Sequence, residues 1–376
     1  MIKRKTALLT TGLTSAILIG VSNPAISGGT IQIGENQHIS IGAGIRSSFS
    51  AVENGAPDGD AYGSDFAINN MRLYISGQIA KDWKFTVNTD EIWGEMGVLD
   101  AIIQYEPSPY FNVWFGRLLT PADRIEMNGP YYAINWNQYT VPLYPSDNDA
   151  EKPYSAGVYG RDDGMVIWGS ADKFQYAVGA FNGLRSDANK SSSLLYSMRL
   201  AYNFLNKEDN PGYYTSGTYY GAAGDIFTIG LSAQMQKNGS GSDATDAEDF
   251  SGYAVDMLFE KVLSNGSVVT IDGEYKSFSN DASSGFQLFN GESMFVTAAY
   301  LLPGQYGQGR VQPYARITST SPENGSKSDL NEFGINYIIQ GHNLKLNANM
   351  TDGDANPSGA SGDSVKTFTV GFQYQI

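Results

Sequence analysis

The carboxylates that could do acid–base chemistry come as two short-range pairs. Asp162 and Asp163 are adjacent, and Asp272 and Glu274 stand two apart. Two acids held close can share a proton and serve as general acid and general base. In an extended strand, residues two apart share a face. Asp272 and Glu274 would then be neighbours, with Lys276 next on the same face. That lysine turns the pair toward ion pairing rather than catalysis. A Ser-His-Asp relay needs a placed imidazole. Only His38, opening a strand-like run, and His342, in a tight turn, are available. With no cysteine, a thiolate metal site, covalently attached c-type haem and a disulfide framework are excluded, and having only two histidines argues against a His-built metal site. Asp58-Gly59-Asp60 with Asp65, and Asp352-Gly353-Asp354, have spacing that can ligate Ca²⁺ but lack a full calcium loop. Gly304, Gly307 and Gly309 follow Leu302-Pro303 with no helical pattern after them, so they do not read as a phosphate-cradling loop. No cofactor or resident metal is expected.

What remains is a set of charges suited to selecting solutes in a pore. Arg46, Arg72, Arg199, Lys276, Arg316 and Lys345 each fall on the polar side of an alternating segment. So do Asp256, Glu260, Asp272, Glu274 and Glu332. A long connection adds Asp123, Arg124, Glu126, Asp147 and Asp149. Rings of charge around a narrow waist set ion preference. The expectation is a basic wall facing an acidic loop, with Arg199 and Arg316 controlling anion against cation passage.

The elements that would hold these charges are strands. Phe368, Val370, Phe372, Tyr374 and Ile376 alternate with Thr367, Thr369, Gly371, Gln373 and Gln375. Leu194, Tyr196, Met198, Leu200, Tyr202 and Phe204 alternate with Ser197, Arg199 and Asn203. The same period of two runs through segments beginning near Ile39, Met71, Phe227, Val269, Phe333 and Leu344. Successive strand residues point to opposite faces. One face of each run is apolar and aromatic, and the other is polar, small or charged. A wall between lipid and water needs that pattern.

Connections alternate in length. Lys81-Asp82, Pro107-Ser108-Pro109, Ser264-Asn265-Gly266 and Gly341-His342-Asn343 read as tight turns. Stretches 52–65, 183–193, 237–249, 279–288, 320–329 and 352–364 are longer and rich in Gly, Ser, Asn and Asp. The runs predict an all-β transmembrane antiparallel barrel of about sixteen strands. Stretch 206–224 is long for a tight-turn position, which leaves the count open by two. Stretch 118–156 holds Pro121, Pro130, Pro142, Pro145 and Pro153 with Tyr131, Tyr132, Trp136, Tyr139 and Tyr144. An aromatic, proline-stiffened loop is predicted to pack rather than float. It follows the fifth strand as the third external connection, and it is expected to fold inward as a constriction loop.

The start of the chain predicts export. Lys3, Arg4 and Lys5 precede an uncharged run from Ala7 to Val21, then Pro24 and Ala25-Ile26-Ser27. This reads as a signal peptide over 1–27, cut before Gly28, with the barrel over 28–376. A membrane anchor would need a longer run, of about 20 apolar residues. Mean hydropathy is -0.28, as an alternating wall allows. Net charge is -15, which argues against nucleic acid as a partner. The 24 tyrosines and 18 phenylalanines suit strands and membrane interfaces.

Several stretches then carry a family likeness. They are Arg161-Asp162-Asp163-Gly164-Met165-Val166-Ile167-Trp168-Gly169, Thr218-Tyr219-Tyr220-Gly221, Ala299-Tyr300-Leu301-Leu302-Pro303, Val311-Gln312-Pro313-Tyr314-Ala315-Arg316, and Asn336-Tyr337-Ile338-Ile339-Gln340-Gly341-His342-Asn343-Leu344-Lys345. In this order the chain resembles the phosphate-selective porin O/P family from about Arg46 to its end. The resemblance implies a sixteen-stranded, homotrimeric outer-membrane barrel of a Gram-negative bacterium, in contact with lipid and passing small anions. The function expected is passive diffusion of small hydrophilic solutes, anions such as phosphate among them. Two alternatives stay open: a barrel enzyme and a structural or adhesive surface barrel. Gly, Ser, Thr, Asn and Gln dominate the inward positions, which favours a water-filled channel over both.

Overall fold

The computed structural model describes residues 28–92, 95–144, 160–184, 187–241, 243–280 and 289–376. The expected signal peptide, the second part of the constriction loop (with Asp147 and Asp149) and most of stretch 279–288 lie outside those residues.

Seventeen strands form one antiparallel sheet. They are β1 (Gly29–Gly34), β2 (Gln37–Val52), β3 (Gly63–Ala80), β4 (Trp83–Ile92), β5 (Glu95–Ser108), β6 (Phe111–Leu119), β7 (Arg161–Ala171), β8 (Phe174–Phe181), β9 (Leu195–Asn203) and β10 (Ile226–Ser240), followed by β11 (Glu248–Val262), β12 (Val268–Ser279), β13 (Gly291–Leu301), β14 (Arg310–Pro322), β15 (Ser328–Gln340), β16 (Leu344–Gly353) and β17 (Val365–Gln375). Each strand from β2 to β16 pairs with the next, and β17 pairs back onto β2 from Thr367↔Val52 to Gln375↔Gly44. The sheet is therefore a closed barrel of sixteen strands, and no edge is left to aggregate. β1 stands outside that count. It pairs with the start of β2, from Gly29↔Ile41 to Gly34↔Gln37, on the edge that β17 has vacated.

Burial in this barrel is inverted relative to a soluble protein, as the alternation demands. Along β17, Phe368, Val370, Phe372 and Tyr374 are exposed, and Thr369, Gly371, Gln373 and Gln375 are buried. Along β9, Tyr196, Met198 and Tyr202 are exposed, and Ser197, Arg199 and Asn203 are buried. The apolar face belongs to lipid, and the polar face looks into the lumen. Stretch 206–224 holds no strand, so the count of sixteen stands. Two predicted loops are shorter than expected, because β10 runs on to Ser240 and β14 to Pro322.

Both ends of the barrel domain sit at the short-turn rim, where Ala43 and Ile376 exchange two backbone hydrogen bonds of 3.1 and 2.8 Å. At that rim Asp82 and Asp172 take left-handed backbone angles, φ 65° and 53°, in two-residue hairpins. Such hairpins favour that conformation because its twist matches the flanking strands.

Candidate functional site

The lumen is crossed by the connection between β6 and β7. A short helix, α1 (Arg124–Asn128), begins it, with Asp123 capping the turn by accepting from the Glu126 amide at 3.2 Å. From Thr120 to Tyr144 nearly every residue is buried. The chain first crosses to the far wall. Ala122 O accepts from Arg199 on β9, and Asp123 pairs with Lys276 on β12 at 2.7 Å. It then swings to β15–β17 and β2. Lys345 Nζ donates to Ala133 O at 2.7 Å, Gln373 to Tyr131 O at 2.9 Å, and Asn336 to Ile134 O at 2.8 Å. It returns over β14, where the Thr140 and Thr318 hydroxyls meet at 3.3 Å, and reaches β12, where Tyr144 packs on Phe278 with ring centroids 5.0 Å apart.

The walls are cut to receive this loop. A Cβ on Gly371 of β17 would lie within 2.5 Å of the Trp136 ring, and one on Gly252 of β11 would lie 2.5 Å from Tyr144. Glycine is therefore required by space at these inward positions. Ile125, Val141, Leu143 and Phe295 close a small apolar cluster inside the otherwise polar lumen.

All six cations predicted to face inward do so, but their settings differ. Arg199 is buried against Asp256 of β11, which also receives Arg124 Nε at 3.2 Å. Lys276 lies between Asp123 at 2.7 Å and Glu274 at 3.1 Å. Arg72 pairs with Asp90 at 2.7 Å. Arg46, Arg316 and Lys345 have no carboxylate within 4.0 Å among the described residues. Arg46 donates to Asn70 Oδ1 at 2.9 Å and lies 4.1 Å from the Trp136 ring centre. Arg316 lies 3.9 Å from the Phe295 ring, and its Nε and Nη2 find no protein acceptor among the described residues. Its neighbour Glu332 turns away, taking the Tyr314 hydroxyl at 2.6 Å and Asn135 at 3.3 Å. Arg46, Gln373 and Lys345 stand in one row across β2, β17 and β16, so two cations without a carboxylate within 4.0 Å among the described residues flank one amide.

The loop's own charges are held tightly. Arg124 is fully buried and forms a two-pronged pair with Glu208, at 2.7 and 2.8 Å. Burial would raise the Glu208 carboxyl, yet the adjacent Arg124 outweighs it and holds it below the usual range. Glu126 accepts the Tyr144 amide. Burial first, and the Asp123 charge second, push its carboxyl up to about 8. At the short-turn rim, burial and the nearby Lys345 lower His342 to about 3, so the imidazole is neutral.

The loop covers the wall from β9 round to β2 and leaves the side from β3 to β6 open. There a cavity of about 480 Å³ is lined by Arg72, Lys84, Asn88, Asp100, Gln104 and Glu106 among others. Three ion pairs mark it: Arg72–Asp90, Lys84–Glu106 at 2.6 Å and Arg161–Asp100 at 3.3 Å. Sequence reasoning missed Lys84, Asp90, Asp100, Glu106 and Arg161. Parity on β4 carried two of them, since Lys84, Thr86, Asn88 and Asp90 alternate with Phe85, Val87 and Thr89. On β5 the signal breaks. A bulge opposite Asn88 and Thr89 turns Leu99 inward beside Asp100.

A closed sixteen-stranded barrel with a lipid-facing apolar wall, a polar lumen and a long inward loop defines a porin-type outer-membrane channel protein. The sequence model of the phosphate-selective porin O and P family matches residues 39–376, and the chain belongs to that family. Solved structures share the fold at low identity. The anion-selective porin from Comamonas acidovorans is 12% identical, with a TM-score of 0.56 over 90% of this chain and 100% of its own. Salmonella typhi OmpF, solved with daunomycin, is 12% identical, with a TM-score of 0.59 over 92% and 100%. Vibrio cholerae OmpT is 13% identical, with a TM-score of 0.57 over 92% and 100%. No curated protein matches the sequence. In a barrel of this class the long-loop rim is the external one and the short-turn rim the periplasmic one.

Proposed function

We propose that this chain is a passive channel for small hydrophilic solutes, and that it favours small anions such as phosphate. The observation that carries the anion preference is the row Arg46–Gln373–Lys345, with Arg316 further round the wall. Among the described residues these cations have no carboxylate within 4.0 Å, although Glu332 is the cross-strand neighbour of Arg316, whereas the cations along the open cavity are each paired. The field of a buried, unpaired charge is weakly screened, so the surplus on β2 and β16 favours anions moving past Arg72 and Tyr132. Tyr131 lies between the two wall guanidiniums, 5.9 Å from Arg46 and 5.1 Å from Arg72, and relays no compensating charge. Trimeric assembly is part of the same proposal: one solved form of the Vibrio cholerae OmpT neighbour is a trimer.

The test is the reversal potential of the purified protein in a planar bilayer under a salt gradient, first with chloride and then with phosphate. Stepwise conductance with anion preference is the expected result. Cation preference would overturn the anion reading and give control to Asp100 and the other acids. A barrel with no conductance would overturn the channel itself in favour of a plugged structural barrel.

A further inference from the structure

The connection between β9 and β10 is out of scale for its rim. The neighbouring periplasmic turns are Lys81-Asp82, Asp172-Lys173 and Gly341-His342-Asn343, yet this one runs from 204 to 225. It climbs into the lumen and meets the external loop from below. Glu208 takes both prongs of Arg124. Thr215 donates its amide to Met127 O at 3.2 Å and its hydroxyl to Arg124 O at 3.0 Å. Gly217 N donates to Tyr132 O at 3.0 Å, and the Tyr213 hydroxyl to Leu119 O at 2.5 Å. The far end is tied to the wall. Glu260 of β11 accepts from Thr218 Oγ1 at 2.7 Å, Gly221 N at 2.7 Å and Tyr219 N at 3.0 Å. His342 Nε2 lies 2.8 Å from Thr218 O.

We propose that segment 204–225 is the second half of the constriction, and that Glu208 is the positioning residue that locks it to the external loop. The open cavity is what remains between β3–β6 and a partition built from both pieces. Met127 and Gly129 of the loop line it, and so do Pro211 and Tyr214 of the periplasmic segment. The width available to a solute is therefore set from both rims. Glu208 is the carboxylate that the periplasmic segment offers to Arg124. Without it Arg124 still holds Asp256, so the loop stays on its wall, while the segment keeps only its ties to neutral groups of the loop, Ser216 O to Arg124 at 2.9 Å among them, and its joint to the loop loosens. Two buried charges joined by paired hydrogen bonds fix orientation as well as contact.

This inference rests on the channel reading, and its test separates the two. Single-channel conductance of the full-length wild type and of Glu208→Ala is compared in planar bilayers, after both are shown to migrate as folded barrels before heating. The expected result is a rise of about twofold in conductance for Glu208→Ala, since a wider waist carries more current. Glu208→Gln keeps the side-chain shape and one acceptor oxygen, and is expected to move the same way by less, which serves if the alanine variant does not fold. A rescue excludes a merely structural role. The chain has no cysteine, so Met127→Cys with Thr215→Cys can tether the two pieces in the Glu208→Ala background. Oxidation is expected to return conductance to the wild-type level, and reduction to raise it again. A conducting wild type with unchanged Glu208 variants overturns this inference alone. A wild type that does not conduct overturns the channel reading and this inference with it.

Discussion

The indole of Trp136 rests on Gly371, a loop residue seated on a residue of the last strand in a gap that a single methyl group would fill. The same indole lies under the Arg46 guanidinium. Gly371→Ala forces the ring to move and separates Trp136 from Arg46. Overpacking of this kind costs about 1–3 kcal/mol. The expected outcome is a lower thermal midpoint by tryptophan fluorescence, with noisier open-channel current. An unchanged midpoint would mean that the loop is not seated there.

Arg199 and Arg316 look equivalent by parity, and the structure separates them. Arg199 is neutralised by Asp256, whereas Arg316 has two guanidinium nitrogens without a protein acceptor among the described residues. Arg316→Gln is expected to lower the anion-to-cation permeability ratio clearly. Arg199→Gln is expected to leave it nearly unchanged. Its cost falls on stability, below the roughly 3–5 kcal/mol of a fully orphaned partner, because Arg124 still faces Asp256. Reversal potentials and urea midpoints of the two variants decide the matter, and equal potential shifts would refute the distinction.

The barrel was legible because lipid on one side and water on the other impose a period of two on every strand. The terminal run from Thr367 to Ile376 shows it with no interruption. The inward loop was legible from its prolines and aromatics. Its partners were not, since Asp123–Lys276 and Arg124–Asp256 join residues more than a hundred positions apart. Asp100 was hidden by the β5 bulge, which breaks parity. Glu208 was hidden because 204–225 carries no periodic signal. Its length stood out, but length alone does not say that a segment turns inward rather than adding strands.

Glu126 gives the loop a pH dependence. Its carboxyl is pushed up to about 8 by burial and then by Asp123, while Lys276 pulls the other way. Arg161 also lowers it, and Glu274 meets the same Lys276 at 3.1 Å. A raised folded-state value means that the folded protein holds a proton the unfolded chain has released between about 4.3 and the folded value. Loop packing is therefore expected to be strongest on the acid side and to weaken as pH rises through that window. Open-channel noise should grow from about pH 5 to about pH 8 and level off above that, and the growth should vanish in Glu126→Gln, where no proton is exchanged. Noise that grows equally in the variant would place the titration elsewhere.

Lys84 and Glu106 test whether the open cavity is the path. Their ion pair, at 2.6 Å, lines the cavity close to the periplasmic rim, with Lys84 partly exposed and Glu106 also accepting the Trp114 indole N–H at 2.9 Å. Lys84 is about half exposed and Glu106 mostly buried, and a pair partly open to water contributes modestly, on the order of 1 kcal/mol, so either partner can be neutralised without unfolding the barrel. Its two charges cancel for a passing ion. Glu106→Gln leaves Lys84 unopposed and is expected to raise anion preference, while Lys84→Gln leaves Glu106 unopposed and is expected to lower it. Both shifts should shrink as salt is raised, because charges facing water are screened over about 10 Å at roughly 0.1 M salt. Opposite shifts in reversal potential from the two halves of one pair place the ion path along β3–β6. Unchanged potentials in both would move that path to another part of the lumen.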